Sequence, residues 1–371
     1  MVQANHGFNL RHSIIFGRLG SWLKLLRREK VSRAYVGRTI LLLSTSLLTL
    51  PFRMYESLRY RHRVKSVVIS EPPIFIIGHP RSGTTHLHNL MCQDKNMGYV
   101  TTLQAVAPDF LFVAGKTLKP LLKKLMPSGR AMDQVSVTMD GPQEEEIAVF
   151  NLSPHAFLYH LWFPQNAYYY FERYALFRHV PESVIAEWKD TYMEVMRKAT
   201  LYMDHKRLVL KSPMNTGHVN LLLDLFPDAK FIHIVRNPYT VFVSTKRMYR
   251  RILGVAQLQE ISWEEIVDYI LLFYKEMMQK FLKDSALVPP GNLVTVKFED
   301  LETDPLSELQ RIYAHLNLPR FSETEPTLRA YIASQADYQK GKYDLSNEDI
   351  DQVNQHWAFA LKEWGYNLIA A

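Results

Sequence analysis

The sequence predicts an α/β protein: a three-layer α/β/α domain around a central parallel sheet, preceded by a helical, basic N-terminal arm. Three observations predict it. Short apolar, β-rich runs fall at 74–78, 208–210, 231–235 and 293–296. Such runs read as strands buried on both faces when helices follow them. Helical patterns lie between or after them, at about 84–92, 182–203, 216–226, 239–251, 262–283, 305–316 and 347–362. Finally, residues 1–65 hold 13 Lys/Arg and two acids, Glu29 and Glu56, a local net of +11.

The 371 residues are 47% apolar and 22% charged, which excludes a disordered chain, a collagen-like repeat and a polytopic membrane protein. Net charge is +7, so with +11 in the arm the remainder carries −4. A basic balance invites an anionic partner. Because the excess sits in the arm and no comparable cluster follows, no nucleic-acid partner is expected. The single cysteine, Cys92, rules out an intrachain disulfide and a multi-cysteine zinc site. It suits a reducing compartment, so the expected location is cytoplasmic, peripheral on a membrane.

The arm, residues 1–70, comes first. Trp22, Leu23, Leu25 and Leu26 stand among Lys24, Arg27, Arg28, Lys30 and Arg33. An 11-residue apolar run, Ile40 to Leu50, follows and is closed by Pro51. Spanning a bilayer takes roughly 20 residues. No small-residue cleavage signature is present, so a removable signal is not expected. Three readings stay open: an interfacial segment on an anionic membrane surface, a helix packed on the body with a solvated basic face, and, third, a transmembrane span.

The domain, 71–371, opens with Glu71-Pro72-Pro73 and the strand at 74–78. This runs into Gly78-His79-Pro80-Arg81-Ser82-Gly83-Thr84-Thr85 and then an apolar helix. Gly78 and Gly83 have the G-x-x-x-x-G spacing of a phosphate-binding loop in its strand–loop–helix setting, so the fold is of P-loop type. Glycines let backbone wrap an anion, and N–H groups at the helix start point at it. A nucleotide triphosphatase carries Lys-Ser/Thr after the second glycine. Here the pair is Thr84-Thr85, and the cation, Arg81, sits inside the loop. The loop suits an anion other than a magnesium triphosphate.

The next stretch, about 95–180, is irregular and proline-rich, with an aromatic run Tyr168-Tyr169-Tyr170-Phe171. It reads as an insertion at the ligand edge of the sheet. Lys211 follows the strand at 208–210. The strand at 231–235 ends in Arg236-Asn237-Pro238 and leads into a helix carrying Ser244. Arg236 and Ser244, eight residues apart, suit a second phosphate.

Together these motifs resemble a family. Pro80 to Thr85 is similar to the 5′-phosphosulfate loop of sulfotransferases, and Val235 through Ser244 to their 3′-phosphate motif. Leu210-Lys211-Ser212-Pro213 and Phe298-Glu299-Asp300-Leu301…Asp304-Pro305 also resemble the family, in its bacterial-type branch related to tyrosylprotein sulfotransferases. The likeness covers roughly 73–365. It implies metal-independent, in-line transfer of a sulfuryl group from 3′-phosphoadenosine 5′-phosphosulfate (PAPS) to a hydroxyl or amine. By motif, Arg81, Ser82, Gly83, Thr84 and Thr85 hold the 5′-phosphosulfate, and Arg236 and Ser244 the 3′-phosphate. Arg81 and Lys211 are the candidates to stabilise charge on the leaving phosphate.

The base is where the chain departs from the family. The tyrosylprotein branch places its catalytic Glu about twenty residues after the loop, and that neighbourhood here offers Gln104, which cannot take a proton. Glu144 or Glu146, in Pro142-Gln143-Glu144-Glu145-Glu146, is preferred over His86 and His88, with Asp109 or Asp133 as alternatives. Lys340-Gly341-Lys342 lies where related enzymes carry a basic glycine loop over the nucleotide, though it is not the cytosolic Arg-Lys-Gly motif, and a solvated loop stays open as the alternative. Trp357 and Trp364 read as core. A lipid-like or other small-molecule acceptor is expected from the aromatic insertion and the basic arm, and the oligomeric state is not readable. Two other functions stay open: a degenerate P-loop nucleotide kinase, and a non-catalytic membrane-surface protein that keeps the nucleotide fold.

Overall fold

All four apolar runs are strands in the computed structural model, which describes residues 16–125, 138–335 and 344–370. In chain order, the arm folds into α1 (Leu19–Arg28), α2 (Val36–Leu48) and α3 (Leu50–Lys65). Then come β1 (Ile74–Ile77), α4 (Thr84–Met91), β2 (Met97–Gly98) and α5 (Thr102–Val106). Short helical turns lead to α6 (Glu145–Leu152), α7 (Ala167–Tyr174) and α8 (Glu182–Tyr202). After these lie β3 (Arg207–Lys211), α9 (Val219–Leu225), β4 (Lys230–Val235), α10 (Pro238–Ala256) and α11 (Trp263–Asp284). The chain closes with β5 (Leu293–Lys297), α12 (Phe298–Thr303), α13 (Pro305–His315), α14 (Phe321–Ser334) and α15 (Asn347–Glu363).

By internal contacts the chain forms two compact units. One comprises 70–99, 206–247 and 267–371 and carries the sheet. Its strands are all parallel, in the order β2-β3-β1-β4-β5. Register places Ile76 opposite Lys211 and Ile232, and Val235 opposite Lys297. The loop after β1, Lys211 and Arg236 therefore emerge at one edge, the carboxyl ends of neighbouring strands, where open α/β sheets bind ligands. Strand alternation splits the apolar residues. Ile74, Ile76, Val209, Ile232, Ile234 and Val296 join Leu87, Leu90, Leu309 and Ile312 in one core. Phe75 packs its ring against Phe226 and Phe231, with centroids 6.2 and 5.6 Å away. The two-residue β2 was not expected. It is too short to show a period, and only pairing with Arg207 and Leu208 makes it a strand.

Local chemistry explains the helix boundaries. Pro238 and Pro305 fill first-turn positions, where a missing N–H costs nothing. Asn237 Oδ1 accepts from Tyr239 N–H at 3.0 Å, and Asp304 Oδ1 accepts from Ser307 N–H at 3.1 Å. Ser346 and Asp349 form a capping box at α15. The helix expected from 216 begins later, because Ser212 accepts from Met214 N–H and Pro213–Gly217 make a 3₁₀ turn. Trp357 is core, as expected. It is fully buried, stacks on Tyr274 at 3.8 Å and donates to Leu271 O.

The other unit comprises 1–69, 100–205 and 248–266. Part of the arm packs on this unit through its side chains. The α1 part is packed: Trp22 and Leu25 are buried, and Trp22 meets Phe150, Tyr159 and Trp162 edge-on. Several arm cations are structural. Arg18 pairs with Asp109 through two hydrogen bonds of 2.7 and 2.8 Å. Arg53 reaches Asp109 at 3.1 Å and the carbonyls of Phe16 and Gly17 at 2.9 Å. Arg28 donates to the hydroxyls of Tyr169 and Tyr170, and Arg38 to the carbonyls of Gly254 and Gln257. Pro51 does not close the apolar run. It occupies the first turn of α3, where proline fits, so helix resumes after a single turn residue, Thr49.

Candidate active site

The loop 78–83 is shaped by three positive φ angles. Gly78 (φ 144°) lies so close to β4 that a Cβ would sit 2.3 Å from Ile234 O. Its N–H donates to Thr216 Oγ1 at 2.8 Å. Gly83 (φ 97°) is the N-cap of α4, and a Cβ there would meet the Phe298 ring at 2.2 Å. Both positions demand glycine for space as well as conformation. Arg81 (φ 74°) holds a left-handed conformation that is costly for a residue with a Cβ. Between them Ser82 N–H closes a turn on His79 O at 3.1 Å. The ring of His79 packs 4.8 Å from Tyr274, and burial pushes its pKa down to about 3, so the loop's own imidazole stays neutral.

Arg81 turns toward the second motif. Its Nε donates to Ser244 Oγ at 2.9 Å. Arg236 Nη1 reaches Arg81 O at 3.4 Å, and its guanidinium lies 4.2 Å over the Phe298 ring. Phe298 thus lies against both Gly83 and the Arg236 guanidinium. Next to it, Glu299 Oε1 accepts from Asn237 N–H at 2.9 Å, and Glu299 Oε2 from Tyr366 OH at 2.8 Å. These contacts tie the end of β5 to the turn after β4. Ser82, Thr84 and Ser244 are buried and Thr85 is half-buried. Two guanidinium groups, several hydroxyls and the N–H groups of the first turn of α4, which a helix leaves without intrahelical acceptors, form a donor set suited to two anionic groups.

Lys211 ends β3 and is 1% exposed, so it is no surface lysine. Its charge acts on α4 and the residue after it. His88 is pushed down to about 3 by burial first and by Lys211 second, while its contact with Val209 O opposes this. Burial likewise raises the Cys92 thiol, against the Lys211 charge. His88 is therefore a packed, neutral core residue. His86 sits edge-on to Phe298 at 6.3 Å.

The carboxylates belong to the other unit. Glu144 is the N-cap residue of α6 and half-buried. Glu145 is buried and accepts from Tyr192 OH at 3.0 Å. Glu146 is 1% exposed, and neither of its oxygens has a full hydrogen bond among the described residues. Burial first, then the charges of Glu145 and Glu144, raise its pKa well above the usual carboxylate range, with the Phe157 N–H acting weakly the other way. Asp109 is committed elsewhere. Although burial disfavours its charge, Arg18 first and then the charges of Lys198 and Arg53 hold its pKa below the ordinary value. Gln104 is a buried amide donating to Val195 O at 2.8 Å. Asp133, Lys340, Gly341 and Lys342 lie outside the described residues.

The sequence reading named Arg81, Arg236 and Ser244, and the structure brings them together. Thr216, Phe298 and Glu299 were missed as parts of this cluster. Phe298 and Glu299 had one signal, their place directly after a strand in a motif shared with known enzymes. Thr216 had none.

Comparison with known proteins gives the family. A model of the sulfotransferase family matches residues 72–323. Omega-hydroxy-beta-dihydromenaquinone-9 sulfotransferase Stf3, from Mycobacterium bovis and Mycobacterium tuberculosis, is 31% identical over 350 residues, covering 94% of this chain and 89% of that enzyme. The crystal structure of sulfotransferase STF9 from Mycobacterium avium superposes with a TM-score of 0.71 at 18% identity, over 96% of this chain and 99% of that one. STF1 from Mycobacterium tuberculosis gives 0.63 at 17% identity, over 92% and 91%. By the family match over most of its length and the 31% identity to a named sulfotransferase, the chain is a member of the sulfotransferase family and a sulfotransferase.

Proposed function

We propose that the protein transfers the sulfuryl group of PAPS to a hydroxyl on a lipid-like acceptor, working in the cytoplasm at a membrane surface. The observation that carries the nucleotide half is the 2.9 Å contact from Arg81 Nε to Ser244 Oγ. It joins the two motifs that family members use for the two anionic ends of PAPS. In this reading Arg81, Ser82, Gly83, Thr84 and Thr85 hold the 5′-phosphosulfate, and Arg236 and Ser244 hold the 3′-phosphate. PAPS supplies an activated sulfuryl group. The rest falls to the chain's own side chains. Arg81 and Lys211 stand as fixed cations for the charge that grows on the leaving oxygen, needing no reorganisation at the moment of transfer. Phe298 keeps the Arg236 guanidinium flat and oriented. Glu146, in its ionised form, takes the acceptor's proton: a carboxylate with a raised pKa holds a proton more strongly than a solvated one, at the cost of a smaller ionised fraction. Glu144 is the alternative at the same helix start.

The acceptor half leans on the relative Stf3, whose acceptor, as its name states, is a hydroxylated dihydromenaquinone. Most aromatic residues between α6 and α8 are buried against one another, so the lipid-like acceptor rests on that relative and not on an open aromatic surface.

The test has two parts. Titration with the bisphosphate product of PAPS should raise the melting temperature, and Arg81→Ala or Arg236→Ala should abolish that shift. Labelled PAPS and a lipid extract should then yield a sulfated lipid. Magnesium-dependent ATP binding in place of the bisphosphate shift would favour a nucleotide kinase. Nucleotide binding without turnover on any acceptor would favour a non-catalytic protein.

A further inference from the structure

The arm divides into a face the body uses and a face it leaves open. Along α2 and α3 the inward side is buried and polar as well as apolar: Leu42, Ser46, Thr49, Arg53, Glu56 and Val64. It is locked. Arg38 holds the carbonyls of Gly254 and Gln257, Arg53 holds Asp109, and Glu56 accepts from the N–H groups of Phe112 and Val113 and pairs with Lys198 at 3.3 Å. The outward side carries Ile40, Leu47, Leu48, Met54, Tyr55 and Leu58, with Leu48 72% and Leu58 83% exposed. Positions 40, 47, 54 and 58 keep helical spacing, so they form one stripe. Val36, also exposed, extends it to about 33 Å at 1.5 Å per residue.

Both ends of the stripe are basic. Lys30 and Arg33 are exposed before it, and Arg59, Arg61, Arg63 and Lys65 after it, with no acid between Glu56 and Glu71. We propose that this stripe docks the protein on an anionic bilayer, with α2 and α3 lying in the plane of the interface. Apolar side chains enter the acyl boundary and the flanking cations meet acidic headgroups. By length and composition Arg33–Lys65 is long and apolar enough to cross a membrane. Crossing would strip Arg38, Arg53 and Glu56 of their partners in hydrocarbon, a far greater cost than lying flat. A second copy is the other candidate occupant. Antiparallel pairing sets Lys30 and Arg33 against Arg59–Lys65, and parallel pairing sets each cluster against itself, so both orientations oppose like charges.

This inference deepens the membrane part of the proposed function, and its test reads binding, not turnover. Full-length protein is mixed with phosphatidylcholine vesicles with and without phosphatidylglycerol, and the bound fraction is measured by sedimentation. Wild type should bind the anionic vesicles and be released by salt. Leu48→Glu with Leu58→Glu, and separately Arg61→Glu with Arg63→Glu, should each weaken binding at least about tenfold. All variants should keep the melting shift given by the bisphosphate nucleotide, which reports the fold and the sulfotransferase site independently. Binding indifferent to lipid charge, or unchanged in both variants, overturns the proposal. So does a wild-type dimer that Leu48→Glu dissociates.

Discussion

Arg81 Nε donates a hydrogen bond to Ser244 Oγ at 2.9 Å, closing 163 residues of sequence into one contact. The loop after β1 and the first turns of α10 are thereby held as a single surface, and Arg81 keeps its left-handed backbone (φ 74°) while doing so. Hydrogen bonds to a charged group contribute about 1.5–3 kcal/mol. Ser244→Ala should therefore weaken the bisphosphate nucleotide by about tenfold or more, read by titration calorimetry. Arg81→Ala should cost more, because it removes a charge as well as a contact. Equal affinity in Ser244→Ala and wild type would remove this contact from the binding surface.

Gly83 and Phe298 make a second, steric prediction. A methyl at 83 would stand 2.2 Å from the Phe298 ring on a backbone at φ 97°. Gly83→Ala should lower the melting temperature and abolish nucleotide binding. Phe298→Ala relieves the clash but drops the platform under Arg236. It should weaken binding through Arg236, by about 0.5–2 kcal/mol for a lost cation–π contact. Combining Gly83→Ala with Phe298→Ala should restore stability relative to Gly83→Ala alone. A double variant no more stable than Gly83→Ala would show that backbone strain, not the ring, sets the cost.

Glu146 has a folded pKa above its unfolded value, because burial and its acidic neighbours disfavour the charge. The stability it contributes is full below the ordinary carboxylate value, about 4.3, and is lost as pH rises through the folded pKa. Glu146→Gln removes that loss. The melting temperature of the variant relative to wild type should rise between pH 5 and pH 8. If Glu146 is also the base, kcat/KM should fall about 100-fold or more, and the acid limb of its pH profile should vanish in this variant but persist in Glu144→Gln. A flat difference in melting temperature across that range would show that the carboxyl is not buried neutral.

Asp109 predicts the opposite slope. Arg18, with the charges of Lys198 and Arg53, overcomes the effect of burial and keeps its folded pKa below the unfolded one. Its contribution is present above the unfolded pKa and is lost as pH falls through the folded pKa. Asp109→Asn leaves Arg53 buried beside a neutral amide, and losing one partner of a buried pair costs about 3–5 kcal/mol. The expected result is a large drop in melting temperature at pH 7 that narrows toward pH 3, with nucleotide binding retained in the surviving folded fraction.

Much of this was legible in the chain. Strand 74–77 is a continuous apolar run, and 208–210 and 231–235 are nearly so, because both faces of the inner parallel strands are buried, whereas the edge strand 293–297 leaves Thr295 exposed. The loop was legible because wrapping an anion needs glycine at fixed spacing. The two-residue β2 was not, since two residues carry no period. Phe298 was not, because its importance lies in what it touches, and Gly83 and Arg236 are far from it in sequence.

The arm shows the division most clearly. Its sequence alone determined a net charge of +11, an apolar run and a helical period. It did not determine which cations are spent inside. Only the tertiary structure decided that Arg18, Arg28, Arg38 and Arg53 serve tyrosine hydroxyls, backbone carbonyls and Asp109, while Arg59 to Lys65 remain in solvent. The physical reason is that composition sets how much charge a segment carries, whereas burial against particular acceptors sets which charges stay available to a partner.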